Sequence, residues 1–340
     1  MKVFLTGATG CVGAHTALHL LKKGHAVRLL VRNAAAAKAY FRHHGYDVTD
    51  IVEADMRDRE KVRAAMIGCD AVFHAAAMVS LDPKKAAEIY QSNLDSVESV
   101  LGSAVQLGIK NSVYVSSLSA FFDPRLSVIN EQTTLGNPRE AYSLSKRDCE
   151  RYVRNLQAQG APIQITYPSG IFGPHDPKLN ESNHSLISLV RIVPITSSGI
   201  QCVDVRDLAD VHVFLLENPP TGDVENARYI VAGRFYPWPE FHALMERVTG
   251  RKIWHPHLPG GLLRAMGALM DIVKKIYPVD IPVTSESMAI ITQWPIADSS
   301  RIQQKMGLEF RDGEETFADT INWMRQAGYI ADKFIAKLAS

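Results

Sequence analysis

The sequence predicts an α/β fold, a doubly wound parallel sheet followed by a smaller C-terminal region. Three observations support this fold class. Short apolar runs alternate with amphipathic helical patterns from residue 2 to about residue 174, which is the order that a parallel sheet requires. A glycine-rich turn directly follows the first apolar run. The regular alternation stops near Pro174, so the remaining residues are expected to form a region with a different task.

Each element in the first half has its own pattern. β-branched and apolar runs predict strands, and apolar residues at helical spacing predict helices. The predicted strands cover residues 2–5, 25–31, 48–54, 71–77, 112–116 and 163–167. The predicted helices cover residues 14–21, 34–44, 58–67 and 83–107, and a further one opens at Tyr142. Asp58 is expected to cap the third of these helices.

The glycine-rich turn predicts a dinucleotide site, because it lies between a strand and a helix. Gly7 allows a tight turn, Gly10 lets a diphosphate approach the backbone, and Gly13 lets the helix pack closely on the strand. The positive end of the helix dipole would face the phosphates. We therefore expect the cofactor diphosphate to be held by Gly7, Thr9, Gly10, Cys11, Val12 and Gly13.

The ends of the next strands refine the cofactor prediction. Arg32 ends the second strand, where an acidic residue would bind a ribose hydroxyl and an arginine accommodates a 2′-phosphate. We therefore expect NADP(H) to be preferred, helped by Arg28 or Lys38, with NAD(H) possible if Arg32 is simply solvated. Ala75 and Ala76 follow the fourth strand, and their small side chains suit a cofactor that lies against the backbone.

Beyond residue 174 the predicted elements are more scattered. Residues 175–198 are polar and irregular; strands are expected at 200–205 and 228–232, and helices at 206–216, 238–249, 262–276 and 316–327. We expect residues 1–174 to form the cofactor domain, with a returning segment at about 200–232. Residues 175–199 and 233–340 would form mainly the substrate-binding region. The amphipathic helix 262–276 is expected to be a packing face rather than a membrane or partner element.

Composition narrows the function classes. The chain has 340 residues, and 37 Lys and Arg against 36 Asp and Glu leave a net charge of +1, so we expect no nucleic acid or membrane partner. Its four cysteines lack C-x-x-C spacing, and its histidines lack carboxylate or cysteine partners at ligand spacing, so no metal site is expected. No apolar run approaches about eighteen residues. We expect a soluble cytoplasmic protein.

Two side chains on one predicted helix suggest proton transfer. Tyr142 and Lys146 stand four residues apart and therefore share a helix face. A tyrosine hydroxyl has a reference pKa of about 10 and can exchange protons near neutral pH when an ammonium group stabilises the phenolate. Ser117, which follows the fifth strand, can offer a second hydroxyl to the same substrate oxygen. Together with the glycine-rich turn, these residues predict proton transfer beside a nicotinamide cofactor.

The order and spacing of these features resemble the extended short-chain dehydrogenase/reductase family, within the NAD-dependent epimerase/dehydratase superfamily. The resemblance is clear over residues 1–216, weaker to about residue 330, and strongest to dihydroflavonol-4-reductase-like proteins. The strings that carry it are Thr6-Gly7-x-x-Gly10-x-x-Gly13, Val115-Ser116-Ser117, Tyr142-x-x-Ser145-Lys146, Pro168-x-Gly170-x-x-Gly173-Pro174 and Val203-Asp204-Val205-Arg206-Asp207.

The resemblance implies roles for specific residues. It implies a Rossmann domain that binds NAD(P), with Ser117, Tyr142 and Lys146 as the catalytic set and Tyr142 and Lys146 also contacting the cofactor. Ser116 and Ser119 are alternatives to Ser117, which is favoured by its register. The cofactor would also be contacted at its adenine by Asp55 and Met56, and at its nicotinamide by Pro168, Gly170 and Ile171.

Two further features follow from the resemblance. Tyr167 stands where the family usually has arginine before the proline, which would alter contacts near the substrate or a phosphate. Family members often form homodimers through two long helices, here residues 83–107 and 142–159, and a monomer stays an alternative.

The expected function is an NADP(H)-preferring oxidoreductase that reduces a ketone or aldehyde, or oxidises the corresponding alcohol. Its partner would be a small-molecule carbonyl or alcohol substrate. The alternative is a nucleotide-sugar epimerase or dehydratase that uses tightly bound NAD and the same three catalytic residues. A third class, a regulator that senses NADP without chemistry, is disfavoured because both Tyr142 and Lys146 are present.

Overall fold

A seven-stranded parallel sheet forms the centre of the molecule, in a computed structural model that describes residues 1–79, 83–277 and 283–336. Its strand order is β3-β2-β1-β4-β5-β7-β10. The apolar runs of the sequence form these strands because both faces of the sheet are covered by helices. The strands are β1 (Lys2–Thr6), β2 (Ala26–Val31), β3 (Ile51–Glu53), β4 (Ala71–His74), β5 (Ser112–Val115), β7 (Ile163–Pro168) and β10 (Arg228–Val231).

Helices cover the two faces of this sheet and bury two hydrophobic cores. On one face, α4 packs between α3 and α5, and on the other α1 packs against α7. Asp58 caps α3 by accepting a hydrogen bond from the backbone N–H of Lys61, as the sequence predicted. The helices are α1 (Cys11–Lys22), α2 (Ala34–His43), α3 (Arg59–Met66), α4 (Ala86–Gln106), α5 (Ala141–Ala158) and α7 (Val205–Glu217).

The C-terminal half adds two small sheets and a third core. A three-stranded sheet contains β8 (Gly170–Phe172), β9 (Gly199–Asp204) and β11 (Arg234–Pro237), and a two-stranded sheet contains β6 (Val128–Ile129) and β12 (Ile296–Ala297). Apolar residues of three helices and of the three-stranded sheet form the third core. The remaining helices are α6 (Glu181–Leu189), α8 (Trp238–Thr249), α9 (Gly260–Ile276), α10 (Ser285–Gln293), α11 (Ser300–Met306) and α12 (Gly313–Gln326).

The α/β class and the parallel Rossmann-type sheet are confirmed, whereas several local predictions are corrected. The segment 175–198, predicted to be irregular, contains the helix α6. Asn180 caps this helix by accepting a hydrogen bond from the N–H of Asn183. The strand predicted at 200–205 does not return to the large sheet; it forms β9 in the three-stranded sheet. Only the later strand, β10, returns. The division into a cofactor domain and a substrate-binding region stays a prediction.

The helix predicted at 262–276 forms as α9, but the expectation that its apolar side packs is wrong. Leu262, Met266, Leu269, Ile272 and Ile276 are each at least half exposed. No helix in the described ranges is both long enough and apolar enough to cross a bilayer.

Candidate active site

A cleft of about 310 Å³ opens where β1, β2, β3 and β4 end. The order of strands reverses between β1 and β4, and ligands of open parallel sheets bind at such a reversal, beyond the carboxyl ends of the strands. The predicted cofactor residues that line this cleft are Gly7, Thr9, Gly10, Arg32, Asp55, Met56, Ala75 and Ala76. Residues that the sequence analysis did not single out also line it, among them Arg57, Met78, Glu88, Ser92 and Lys178.

The glycine-rich turn fits a dinucleotide for reasons that differ between its glycines. Gly7 has a φ of +80°, and a Cβ there would lie 2.8 Å from the backbone nitrogen of Ala76. A Cβ on Gly13 would clash with the carbonyl group of Gly7, so the protein itself requires both glycines. A Cβ on Gly10 would meet only the Gly7 carbonyl oxygen at 3.4 Å. Packing therefore does not require a glycine at position 10, and its role in letting a ligand approach the backbone stays a prediction.

The first turn of α1 is left open toward an anion. Gly10 is the N-cap and offers no side chain, and the first turn carries no acidic residue. A helix start of this kind presents unpaired N–H groups and a positive partial charge to a phosphate. The thiol of Cys11 is buried near Asp176 and Asn180, and burial raises its pKa well above the usual range. The backbone N–H of Cys11 can therefore bind a cofactor phosphate, whereas its thiol packs inside the protein.

Lys178 lies across the glycine-rich turn, although no sequence pattern indicates it. Its Nζ is 3.3 Å from the Thr9 hydroxyl oxygen, and its side chain is exposed in the cleft. The segment that carries it depends on left-handed backbone at His175 and Leu179, with φ values of 59° and 52°. Tyr40 fixes this segment by donating a hydrogen bond of 2.9 Å to the carbonyl of His175. Lys178 thus adds a cation beside the predicted diphosphate site.

Two arginines line the far end of the cleft. Arg32 is exposed there, in agreement with its predicted position at the end of β2. Arg57 pairs with Asp55 at 2.7 Å, and this pairing lowers the pKa of Asp55 to about 2. Arg28, considered as a helper for a 2′-phosphate, is instead bound to Asp50 and to the carbonyls of Ala65 and Ile67. The cation set at this end is therefore Arg32 with Arg57.

Ser117, Tyr142 and Lys146 come together beyond the end of β5. The Ser117 hydroxyl oxygen accepts hydrogen bonds from the N–H and the hydroxyl of Ser119, at 3.2 and 3.0 Å. Its own hydrogen is therefore free to point toward Tyr142, with which the Ser117 side chain interacts. Lys146 donates a hydrogen bond of 2.9 Å to the carbonyl of Val115, and its Nζ is 6.0 Å from the Tyr142 ring centre.

The surroundings shift the pKa values of this set in opposite directions. Burial raises the pKa of Tyr142 to about 12, although the hydrogen bond from Ser117 opposes the shift. Burial lowers the pKa of Lys146 to about 8. At neutral pH Tyr142 is therefore a protonated phenol, and Lys146 is mostly a cation that loses its charge on mild alkalinisation. A protonated hydroxyl is the form that donates to a carbonyl oxygen.

Asn93 connects the cleft to the helix that carries the catalytic candidates. Its side-chain nitrogen donates to the Met78 carbonyl at 3.1 Å and to the Ser145 hydroxyl at 2.9 Å, and its oxygen accepts from the Met78 N–H at 2.7 Å. Ser145 in turn donates to the Tyr142 carbonyl at 2.7 Å. Because Met78 lines the cleft, this chain of hydrogen bonds fixes the first turn of α5 relative to the cleft wall.

Two other side chains are structural. His74 is buried and bonded through Nδ1 to the Thr6 hydroxyl at 2.7 Å, and burial lowers its pKa to about 3. His74 therefore packs inside the fold as a neutral imidazole and is not available for proton transfer at the cleft. The buried hydroxyl of Tyr167 donates to Glu150 at 2.5 Å and accepts from Arg154 at 3.3 Å, and both partners belong to α5. The effect of this tyrosine on contacts with a substrate stays a prediction.

The predicted nicotinamide contacts lie outside the lining of the cleft. Pro168 ends β7, while Gly170 and Ile171 belong to β8, which pairs with β9. The hydroxyl of the intervening Ser169 donates to the Ala232 carbonyl at 2.7 Å, which fixes this junction to the end of β10. Their contact with a cofactor stays a prediction.

A second cavity, of about 680 Å³, lies beside the start of α5. Glu140, the N-cap of α5, and Phe122, which follows the Ser117 segment, line one side of it. Asp271 and Lys274 of α9 and Glu286 of α10 line the other. This cavity brings the C-terminal helices next to the segment that leads into Tyr142. No cluster of metal-binding side chains is found within the described ranges.

The sequence profile of the NAD dependent epimerase/dehydratase family matches residues 3–232. The chain belongs to this family. The match includes all seven strands of the large sheet apart from Lys2, the first residue of β1. The family resemblance seen in the sequence is therefore confirmed, and with it an NAD-dependent type of enzyme.

Curated relatives of this family member include reductases. A Synechocystis protein provisionally named dihydroflavonol 4-reductase is 27% identical over 334 residues, covering 96% of this chain and 95% of that protein. Cinnamoyl-CoA reductase 1 of Arabidopsis thaliana is 24% identical over 346 residues, covering 97% and 90%. The chain thus spans nearly the full length of both relatives.

Solved structures share the fold over the same extent. The crystal structure of gox2253 has a TM-score of 0.82 at 23% identity and covers 97% of this chain and 99% of its own. UDP-glucose 4-epimerase from Bifidobacterium longum, solved with NAD+ and UDP, has a TM-score of 0.73 at 19% identity with the same coverage. At these identities the likeness bears on the fold alone.

Proposed function

We propose that this protein is an NADP(H)-preferring reductase that converts a ketone or aldehyde to the alcohol, or runs the reverse oxidation. The observation that carries the proposal is the meeting of Ser117, Tyr142 and Lys146 beyond the sheet edge that forms the cofactor cleft. The reductase names of the Synechocystis and Arabidopsis relatives support a carbonyl substrate.

The side chains divide the work on the substrate oxygen. When bound, the nicotinamide cofactor supplies the hydride. With substrate bound, Ser117 turns its single O–H from Tyr142 to the carbonyl oxygen, while its own oxygen continues to accept from Ser119. Tyr142 donates the proton as charge develops on that oxygen, and its raised pKa keeps the proton available. Lys146 supplies positive charge that stabilises the phenolate left on Tyr142.

The cations of the cleft support the preference for NADP(H). Arg32 and Arg57 line the part of the cleft beside the end of β2, where the ribose of the cofactor is expected to bind. The residue at this strand end is Arg32 rather than an acidic residue. An arginine at this position accommodates a 2′-phosphate. Lys178 beside Thr9 would bind the diphosphate that is common to both cofactors. Arg32 is thus proposed to select the cofactor, and Lys178 to increase affinity for either one.

A nucleotide-sugar epimerase or dehydratase is the second candidate, because the fold is shared with a UDP-glucose 4-epimerase that binds NAD+. The two functions differ in their redox balance. An epimerase restores its NAD within each cycle, whereas a reductase consumes NADPH in proportion to the alcohol formed. Proteins that only sense NADP do not need the Tyr142 and Lys146 pair, so this third function is not favoured.

The test is to incubate the purified protein with NADPH and a panel of aromatic and aliphatic carbonyl compounds, and to measure NADPH consumption and alcohol formation together. A parallel sample receives UDP-glucose and NAD. The proposal expects stoichiometric NADPH oxidation with at least one carbonyl compound. Interconversion of sugar epimers without net change in the nicotinamide would favour the second candidate instead.

A further inference from the structure

The helix that carries Tyr142 and Lys146, α5, receives no cap from its own side chains. Glu140 is its N-cap residue but makes no capping hydrogen bond through its side chain, and the first turn contains no acidic residue. The backbone N–H groups of Arg139 and Glu140 donate instead to Oε2 of Glu286, at 2.7 and 3.1 Å. Glu286 lies in the first turn of α10, 146 residues further along the chain than Glu140. A carboxylate of the C-terminal region therefore holds the start of α5.

A second hydrogen bond joins the starts of the two helices. Thr284, the N-cap of α10, donates its hydroxyl to Oε1 of Glu140 at 2.7 Å and accepts from the N–H of Ser287 at 3.0 Å. The carboxylate of Glu286 thus lies beside the beginning of both helices, where the positive ends of their dipoles stabilise its charge. Negative charge at this position is therefore favourable for both α5 and α10.

Helix α10 is itself fixed at both ends. At its start, the Ser285 hydroxyl donates to Asp271 of α9 at 2.5 Å. Near its end, the carbonyl of Ile291 accepts from the Thr196 hydroxyl at 3.0 Å and from the Trp238 indole at 3.3 Å. Trp238 belongs to the third core, so α10 is tied to that core. The carboxylate in its first turn therefore offers α5 a fixed point.

Two contacts thus bracket Tyr142 along the chain. Glu286 holds the two residues that precede α5, and Asn93 of α4 holds Ser145 through a hydrogen bond of 2.9 Å. Tyr142 is the second residue of α5, so a shift at the start of the helix would move its hydroxyl relative to Ser117. A proton donor must stay within hydrogen-bond reach of the reacting oxygen, and a misplacement of about 1 Å can slow a reaction about a hundredfold.

We propose that Glu286 is a positioning residue, which sets the place of the Tyr142 hydroxyl by accepting the two N–H groups before α5. It does not contact the reacting atoms itself: Glu286 lines the second cavity, whose lining within the described ranges includes neither Ser117 nor Tyr142. The proposal rests on the proposed function, because it gives Glu286 a part in proton transfer by Tyr142. A residue that only stabilised the fold would change the amount of folded protein but not the turnover of the folded molecules.

The experiment compares Glu286→Ala, which removes both acceptor bonds, with Glu286→Gln, whose amide oxygen can accept from the same two N–H groups. Glu60→Ala is the matched control, because Glu60 is an exposed acid in the first turn of α3. The measurements for each variant are kcat and KM with the best carbonyl substrate, NADPH binding, thermal unfolding, and hydrogen–deuterium exchange over residues 139–146.

In Glu286→Ala we expect kcat to fall by about tenfold to a hundredfold, while NADPH binding stays nearly unchanged. Exchange over residues 139–146 should become about tenfold faster, because hydrogen bonds to a charged group are lost. Glu286→Gln should restore most of kcat and most of the protection from exchange, and Glu60→Ala should match the wild type in both.

The positioning role is overturned if a folded Glu286→Ala keeps the wild-type kcat, or if its exchange over residues 139–146 is unchanged. It is also overturned if Glu286→Gln is as impaired as Glu286→Ala. Failure of the proposed function gives a different result, since the wild type itself would then oxidise no NADPH with any carbonyl compound. The exchange measurement would in that case still decide whether Glu286 holds the start of α5.

Discussion

The cleft at the ends of β1 to β4 and the helix α9 differ in the kind of residue that they expose to solvent. In the cleft, small and charged residues lie at strand ends: Gly10 leaves space, and Arg32 extends into that space. In α9 the apolar residues face outward, and charges such as Asp271 are bonded inward. The first region has the composition expected of a site for a polar ligand, whereas the second presents an apolar surface. Substitutions that affect ligand binding and chemistry should therefore lie in the first region rather than in the second.

Helices α8 and α9 show the same difference within the C-terminal half. Both have amphipathic sequences, but α8 (Trp238–Thr249) buries Phe241 and Leu244 in the third core, whereas α9 exposes Leu269. Periodicity identifies the residues that share a helix face. It does not identify what covers that face, which depends on the elements that pack beside it.

The largest effect on activity should come from a substitution in the candidate active site. Tyr142→Phe removes the proton donor, so turnover should fall by about a thousandfold while NADPH binding is nearly unchanged. Tyr152→Phe is the matched control, because Tyr152 lies on the same helix in a half-buried position. Steady-state kinetics on the best carbonyl substrate measure both. Unchanged turnover in Tyr142→Phe would remove this residue from the mechanism.

The stability of the fold around the large sheet should decrease in acid, because this part of the protein buries neutral histidines. Burial lowers the pKa of His15 to about 4 and of His74 and His212 to about 3. Below pH about 6.5 these histidines bind protons in the unfolded chain but stay neutral in the folded protein. The free energy of unfolding therefore decreases as the pH falls from 6.5 toward 3. Each histidine should contribute about 1.4 kcal/mol per pH unit of this loss.

His212→Gln tests this contribution by urea unfolding at several pH values between 6.5 and 4.5. The variant will have its own stability at neutral pH, so the comparison uses the slope of unfolding free energy against pH. The wild-type slope should exceed that of the variant by about 1.4 kcal/mol per pH unit. Equal slopes would mean that His212 is not held neutral in the fold.

A smaller effect should distinguish the diphosphate end of the cleft. Lys178→Ala removes the cation beside Thr9, so it should weaken NADPH and NADH binding alike, by about tenfold. Lys22→Ala is the control, since Lys22 lies at the opposite end of α1 from the glycine-rich turn. Isothermal titration with both cofactors provides the measurement. A loss confined to NADPH would mean that Lys178 contacts the 2′-phosphate instead.

The sequence predicts the fold best where chemistry and packing require the same residues. Gly7 is required by its left-handed backbone and its contact with Ala75 and Ala76, and Gly13 by its contact with Gly7, so the turn could be located from sequence alone. Lys178 could not be predicted, because its position depends on left-handed backbone at His175 and Leu179, which no local preference indicates. The partners of Arg28 likewise come from segments up to 39 residues away in sequence.

The most direct test of the account is equilibrium binding of NADPH and NADH to the wild-type protein and to Arg32→Ala. We expect NADPH to bind about tenfold more tightly than NADH, and Arg32→Ala to remove this preference while NADH binding is retained. Equal affinities in the wild-type protein, or NAD already bound after purification, would contradict it and favour the epimerase or dehydratase function.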